Sequence, residues 1–165
     1  MKLQPEKDQF LALIEDHKKI IFKVCNAYCK DSEDRKDLVQ EVIIQLWQSF
    51  GRYNDQYKLS TWIYRIALNV AISFYRTERT RKNRTQSIHD AIIEIGDETQ
   101  DTESNSGLLH RFINQLDELN RALMILYLDE KSYREISEIL GISETNVATK
   151  INRIKQKLKL QFSKF

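Results

Sequence analysis

Arg65, Asn69, Ser73 and Arg76 recur at steps of four, four and three, so a single α-helix would present them on one face, with Tyr64 and Tyr75 at its edges. Just beyond, Arg76, Arg79, Arg81, Lys82 and Arg84 set five cations against one acid, Glu78. Rings beside cations suit single-stranded nucleic acid: bases stack on the aromatics, at about 1–3 kcal/mol each, while phosphates follow the positive track. The same stretch also fits a plain core helix with a solvated basic end, so alone it decides nothing.

A second set closes the chain. Asn146, Thr149, Lys150, Asn152, Arg153, Lys155 and Lys157 crowd one helical stretch, and no acid follows Glu144. Amides, a hydroxyl and an arginine early in such a helix can read base edges in the major groove, while the later lysines neutralise phosphate. Neither set does covalent chemistry. There is no P-loop and no nucleophile–base signature, and Cys25 and Cys29 find no zinc motif completed by His17, His89 or His110. The expectation is a non-enzyme with structural thiols, no cofactor, no metal and no small-molecule substrate.

The elements that must position these sets are helices. Phe10, Ile14, His17, Ile21, Val24 and Tyr28 predict a helix over 8–29, with His17 packed on its apolar face. The acids of 31–34 suit the start of a second helix, Arg35 to Phe50, whose broad stripe of Leu38, Val39, Val42, Ile43, Leu46, Trp47 and Phe50 should be buried. Its far side carries Asp37, Gln40, Glu41, Gln45 and Gln48, an acidic and amide face that is either solvated or a dock for a basic partner helix. A polar loop from Gly51 follows. Ser60 is then the expected N-cap of the third helix, with Trp62, Ile66, Val70 and Phe74 as its apolar stripe.

After residue 84 periodicity fades. An apolar patch (Ile88, Ile92, Ile93, Ile95) gives way to polar and acidic residues, which reads as a linker. Residues 108–128 predict one helix or a broken pair. Ser132 caps a short helix, Gly141 supplies a left-handed turn residue, and Ser143 caps a long helix, which is helix-turn-helix spacing. All four glycines, at 51, 96, 107 and 141, fall at expected breaks. The fold class is therefore all-α: two small helical domains, 8–84 and 108–165, joined by a flexible acidic linker, 85–107. The overall charge of +2 hides this order of basic, acidic and basic blocks, and a 41% hydrophobic content excludes wholesale disorder. With no run of eighteen apolar residues and no signal-peptide core, the expected place is the cytoplasm, with no direct membrane insertion.

Together the blocks resemble the extracytoplasmic-function group of the bacterial sigma-70 family. Asp37-Leu38-Val39-Gln40-Glu41-Val42 with Leu46-Trp47 is similar to region 2.2, and Ser60 to Ala67 with Asn69 to regions 2.3 and 2.4. Leu116 to Leu119, Ser132 to Ile136 and Leu140 to Ser143 are similar to region 4. The resemblance implies a dissociable subunit of bacterial RNA polymerase core that selects and opens promoter DNA. It places Asp37, Gln40 and Glu41, with Gln45 and Gln48 on the same face, on the β′ clamp, and it implies contact with the β subunit as well. Arg65, Asn69, Ser73, Arg76 and Arg79 lie along the minus-ten element, and the loop from Gly51 to Ser60 holds a flipped base. Thr149, Asn152 and Arg153 match positions that contact the minus-thirty-five element, with Asn146, Lys150 and Lys155 beside them. An anti-sigma factor is the further implied partner.

Ser73 stands for the family's usual Asp, Asp117 for Pro, Ser137 for Ala, and Ala148 for a basic residue, so promoter sequence does not carry over from relatives. Elements about 25 base pairs apart lie roughly 85 Å apart along the duplex. A free coil of about 27 residues, counting the acidic join from 81 to 107, averages about 30 Å and reaches about 90 Å fully extended. The tether must therefore be stretched on the promoter, and the chain without polymerase should bind DNA weakly. A stand-alone regulator of the LuxR type is the alternative, because residues 132–159 resemble its DNA-binding domain.

Overall fold

The computed structural model describes residues 3–85 and 105–163, all of them in helices and short connections. The apolar patch at 88–95, Gly96 and His89 lie outside the described residues. Seven helices follow in order: α1 (Leu3–Tyr28), α2 (Ser32–Phe50), α3 (Leu59–Thr85), α4 (Asn105–Gln115), α5 (Glu118–Leu128), α6 (Tyr133–Leu140) and α7 (Glu144–Phe162). The first three pack on one another as one module; α5, α6 and α7 form the second, with α4 on α5.

Helix α1 begins five residues before the expected start, taking Pro5 into its first turn, where a missing N–H costs nothing. Ile21, Val24, Cys25 and Tyr28 form its buried line. Asp31 caps α2 by accepting from the Glu33 and Asp34 amides at 2.8 and 3.0 Å. Arg35 reaches back to the Cys29 and Lys30 carbonyls and fastens the end of α1. Both cysteines are buried and free. Burial, and then the neighbouring Cys29, push the Cys25 thiol up to about 12, so it is an inert apolar group at neutral pH. His17 is half-buried and bonds the Leu13 carbonyl through Nδ1 at 3.0 Å.

Three expectations need correction. Ser60 is not the cap: α3 starts at Leu59, with the Trp62 amide donating to the Lys58 carbonyl at 3.1 Å. The deepest line of α3 is Ile63, Tyr64, Ala67, Leu68 and Ala71, whereas Trp62, Ile66, Val70 and Phe74 are half-buried along its margin. The reason is that α3 has partners on two sides, α1 and α2 on one and the second module on the other. Gly107 marks no break, since it lies within α4.

In the second module the broken-pair reading holds. Asp117 caps α5, accepting from the Asn120 amide at 2.8 Å, so the residue that departs from the family's proline starts the helix by another route. Ser132 and Ser143 cap α6 and α7, and Gly141 between them has φ +70°, the left-handed conformation that glycine adopts without penalty. Glu130 takes φ +60° in the preceding turn. Ile136 and Ile139 bury against Val147, Ile151 and Ile154; Leu140, Ile142 and Leu158 fill the margin.

Candidate nucleic-acid interface

On α2, Asp37, Gln40, Glu41 and Gln48 are exposed, while Gln45 is half-buried and donates to Glu41 at 3.2 Å. This face is less polar than the sequence suggests. Ile44 (46% exposed) lies within it, and Trp47 (37% exposed) turns outward, with its ring edge-on to Phe10 at 5.0 Å. The stripe expected to be buried is thus wider than the seat that α1 and α3 offer. A strip of acids and amides interrupted by two large apolar groups can take a partner helix that is basic at its rim and apolar at its centre.

Along α3, Arg65, Asn69, Ser73, Arg76 and Arg79 are all exposed, and the first four share a face as their spacing requires. Tyr64 and Tyr75 do not flank it as platforms. Tyr64 is fully buried and Tyr75 half-buried, both turned to the second module. The aromatic groups beside the polar face come from the loop instead. The Tyr53 ring lies tilted at 46° against Trp62, centroids 5.1 Å apart, and its hydroxyl donates to the Tyr57 carbonyl; the Arg65 guanidinium lies 5.5 Å from the Tyr57 ring centre. The loop is therefore held in shape beside the helix face.

On α7 the outward line is Asn146, Thr149, Arg153 and Gln156, all exposed, with Asn152 next to it. Gln156 follows at the same spacing and was not singled out from sequence. Lys150 and Lys155 are half-buried at the flanks, and the Lys155 ammonium rests 4.4 Å from the Tyr127 ring centre. Nothing else in the described chain covers the outward line, so the helix is free to enter a groove.

The two modules meet along α3. At its start Lys58 faces Glu135 at 3.6 Å. Further on, the Tyr64 hydroxyl donates to Asp129 at 2.6 Å, and Lys23 of α1 reaches the same carboxylate at 2.9 Å. Near the far end Arg76 and Arg79 converge on Glu118 at 3.1 and 3.9 Å. Arg121, which the sequence reading passed over, is 4% exposed. It donates to the Ala27 carbonyl at the end of α1 and to the Asn114 and Leu116 carbonyls at the end of α4, and it lies over the rings of Tyr28 and Tyr75. One cation thus serves the negative ends of two helices, one in each module.

Burial would raise the Asp129 carboxyl, but the bonds from Tyr64 and Lys23 and the charge of Lys131 outweigh it and hold the pKa below the usual range. Glu118 is held down too, first by its own backbone N–H and then by Arg76 and Arg79. Burial, together with the Asp129 carboxylate, pushes the Tyr64 phenol up, so it remains a donor. Among the described residues no group of histidine, cysteine and carboxylate side chains could hold a metal.

The family model for sigma-70 region 2 matches residues 13–81, and that for sigma-70 region 4 matches residues 106–158. SigZ, an RNA polymerase sigma factor of Bacillus subtilis, is 32% identical over 124 residues, covering 74% of this chain and 69% of SigZ. The chain belongs to the sigma-70 family. Sigma factor SigV of the same organism is 25% identical over 164 residues, covering 99% of this chain and 96% of SigV. SigW, an extracytoplasmic-function sigma factor, is 24% identical over 168 residues, covering 94% and 90%. The sigma factor belongs to that extracytoplasmic-function group. Among solved structures, CnrH in complex with the cytosolic domain of CnrY superposes with a TM-score of 0.67 at 19% identity over 95% of this chain and 89% of that one, which shows the shared fold.

This is accordingly an alternative sigma factor that binds core RNA polymerase and directs promoter recognition; nucleotidyl transfer belongs to the polymerase. The region 2 match over α1 to α3 leaves the stand-alone regulator without support. No helix among the described residues is long and apolar enough to cross a membrane.

Proposed function

We propose that the two modules divide initiation between them, with residues 8–84 gripping core polymerase and the minus-ten element, 85–107 acting as tether, and 108–165 gripping the minus-thirty-five element. Asp37, Gln40, Glu41 and Gln48, with Ile44 and Trp47 at their centre, dock on the β′ clamp. Arg65, Asn69, Ser73, Arg76 and Arg79 follow the displaced strand, and the loop holding Tyr57 against Arg65 receives a base turned out of the duplex. Asn146, Thr149, Asn152 and Arg153 read the major groove, with Lys150 and Lys155 steering toward phosphate from the flanks.

The observation that carries this reading is the simultaneous exposure of these three faces on a single chain in the order polymerase, single strand, duplex. The work is cytoplasmic, where core polymerase and promoters are. An anti-sigma factor fits as the regulatory partner: CnrH is solved with the cytosolic domain of CnrY, and the sigma factor RpoE of Bartonella quintana with the anti-sigma factor NepR.

Run-off transcription by bacterial core polymerase on pooled genomic fragments, with and without this protein, tests the reading. Discrete new starts that share two spaced motifs are expected; no new starts with a folded protein and active core would overturn it. Asp37→Ala with Gln40→Ala should weaken core binding and spare promoter choice, and Arg153→Ala should do the reverse. Equal loss of both functions in both variants would sink the division.

A further inference from the structure

A row of aromatic rings runs from α1 to the loop between α2 and α3. Trp47 and Phe50 of α2 both meet Phe10 of α1 edge-on, with centroids 5.0 and 5.5 Å apart. Phe50 meets Trp62 of α3 at 6.4 Å, and Trp62 meets Tyr53 of the loop at 5.1 Å. Each of the three helices thus supplies a ring, and the row ends on a residue that belongs to none of them. Edge-on and tilted pairs at these distances are favourable and directional, so the Tyr53 ring is seated in one orientation.

The Arg52 and Tyr53 amides close the end of α2 on the Ser49 and Phe50 carbonyls, and the Trp62 amide opens α3 on the Lys58 carbonyl. Between them the Asn54 side chain accepts from the Gln56 amide at 3.3 Å, which makes a local turn. The bond that spans the loop runs from the Tyr53 hydroxyl to the Tyr57 carbonyl, at 3.0 Å. It ties the residue whose ring centre lies 5.5 Å from the Arg65 guanidinium to the end of the aromatic row. Tyr53 and Tyr57 are half-buried, and Arg65 is exposed. A ring and a cation held side by side can receive a base without the loop first having to order, and such preorganisation strengthens binding by removing an entropic cost.

We infer that Tyr53 is a positioning residue for base capture: its hydroxyl, braced by the ring on Trp62, fixes the Tyr57 backbone so that the Tyr57 ring and Arg65 face the base turned out of the minus-ten strand. The inference rests on the assignment of this loop to that base. Tyr53 itself touches no nucleotide, so its effect passes through Tyr57. Tyr53→Phe keeps the ring against Trp62 and removes the loop-spanning bond.

The test uses holoenzyme assembled from bacterial core polymerase and the full chain. Its probe is a single-stranded oligonucleotide of the minus-ten strand from a start mapped by the run-off experiment. Abasic nucleotides placed one at a time along the strand locate the captured base as the position whose removal weakens binding by the wild type and has no further effect in Tyr57→Ala. Tyr53→Phe should bind the intact strand about three- to tenfold more weakly, the population shift that one hydrogen bond can hold, with core binding unchanged. That loss should vanish on the strand abasic at the located position and in the Tyr57→Ala background, because in either case the hydroxyl has nothing left to aim. Undiminished affinity in Tyr53→Phe would overturn the inference. So would a loss that persists on the abasic strand or adds in full to that of Tyr57→Ala, since either marks a general or a direct role. If no abasic position loses its effect in Tyr57→Ala, the loop does not receive the base, and the assignment and the positioning role fail together.

Discussion

The joints within the first module and the seam between the modules are built on different principles. Inside, α1, α2 and α3 meet through Val24, Leu38, Val42, Leu46, Ile63 and Ala67, all 1% exposed or less. Such contacts are non-directional and carry no charge for salt to screen. The seam is a row of ion pairs, one buried arginine and two tyrosine hydroxyls, from Tyr64 to Asp129 and from Tyr28 to the Glu118 carbonyl, with a cleft of about 330 Å³ left open between Tyr28, Asp34, Tyr75, Arg79 and Arg121. Close packing resists every displacement, whereas the exposed ion pairs of the seam lose little on opening because water replaces their partners, and its main cost falls on buried Arg121 and Tyr64. The contrast gives each module an interior held by close packing and joins the two by directional polar contacts.

The largest effect is expected in the packed interior of the first module. Leu46→Ala should cost about 2–5 kcal/mol and melt the first module, read as a fall in thermal midpoint. Arg121→Met comes next, at about 3 kcal/mol, because three carbonyls lose a charged donor at once. It should loosen the seam and the α4–α5 junction together, and hydrogen exchange at α1 and α4 would show both. If only the second module responds, Arg121 is an internal strut and not a bridge.

Gly141→Ala isolates a purely backbone effect. An added Cβ would meet nothing within 4 Å, yet φ is +70°, so a loss of about 1 kcal/mol confined to the helix-turn-helix is expected in denaturant titration.

Acid should act on the seam first. Both Glu118 and Asp129 have pKa values depressed by folding, so their contribution is complete above their ordinary values of 4.5 and 3.8 and is lost as pH falls through the lower folded values. Below about pH 4 the modules should separate before helicity is lost, visible as a change in the distance between labels ahead of the change in dichroism. The smallest effect is Lys58→Ala: its side chain is 72% exposed opposite Glu135, and less than about 0.5 kcal/mol should be detectable by denaturation.

What the sequence disclosed follows from the range of the interactions involved. Helix starts at Ser132 and Ser143 and the turn at Gly141 are governed by neighbours within four residues, and the structure keeps them, whereas α2 starts at Ser32 on the Asp31 cap, three residues before the expected Arg35. The exposed polar line of α3 also follows from local spacing. Tyr64 and Tyr75 were misplaced because their partners, Asp129 and Arg121, are supplied by the other module, and nothing within a turn of either tyrosine signals that. The eleven-residue spacing that puts both tyrosines on one face was visible, but it does not say what the face meets. Arg121 was missed for a related reason: a lone arginine in an apolar helix looks like a solvated residue until the ends of α1 and α4 are seen to converge on it. Ile44 and the outward turn of Trp47 depend on how wide a seat two other helices provide, which no local period encodes.

The Glu118 pairing alters how counterions are counted. An arginine awaiting DNA ordinarily has solvent anions nearby, and single-strand binding releases cations from the strand, with a logarithmic salt slope of about 0.7 per phosphate neutralised. Here Arg76 and Arg79 already have an anion covalently tied to the chain. Raising the salt loosens that pairing in step with the pairing to the strand. If Arg76 and Arg79 meet the strand as proposed, the free sigma factor should therefore show a shallower salt slope for strand binding than its number of phosphate contacts implies, and Glu118→Gln should steepen it.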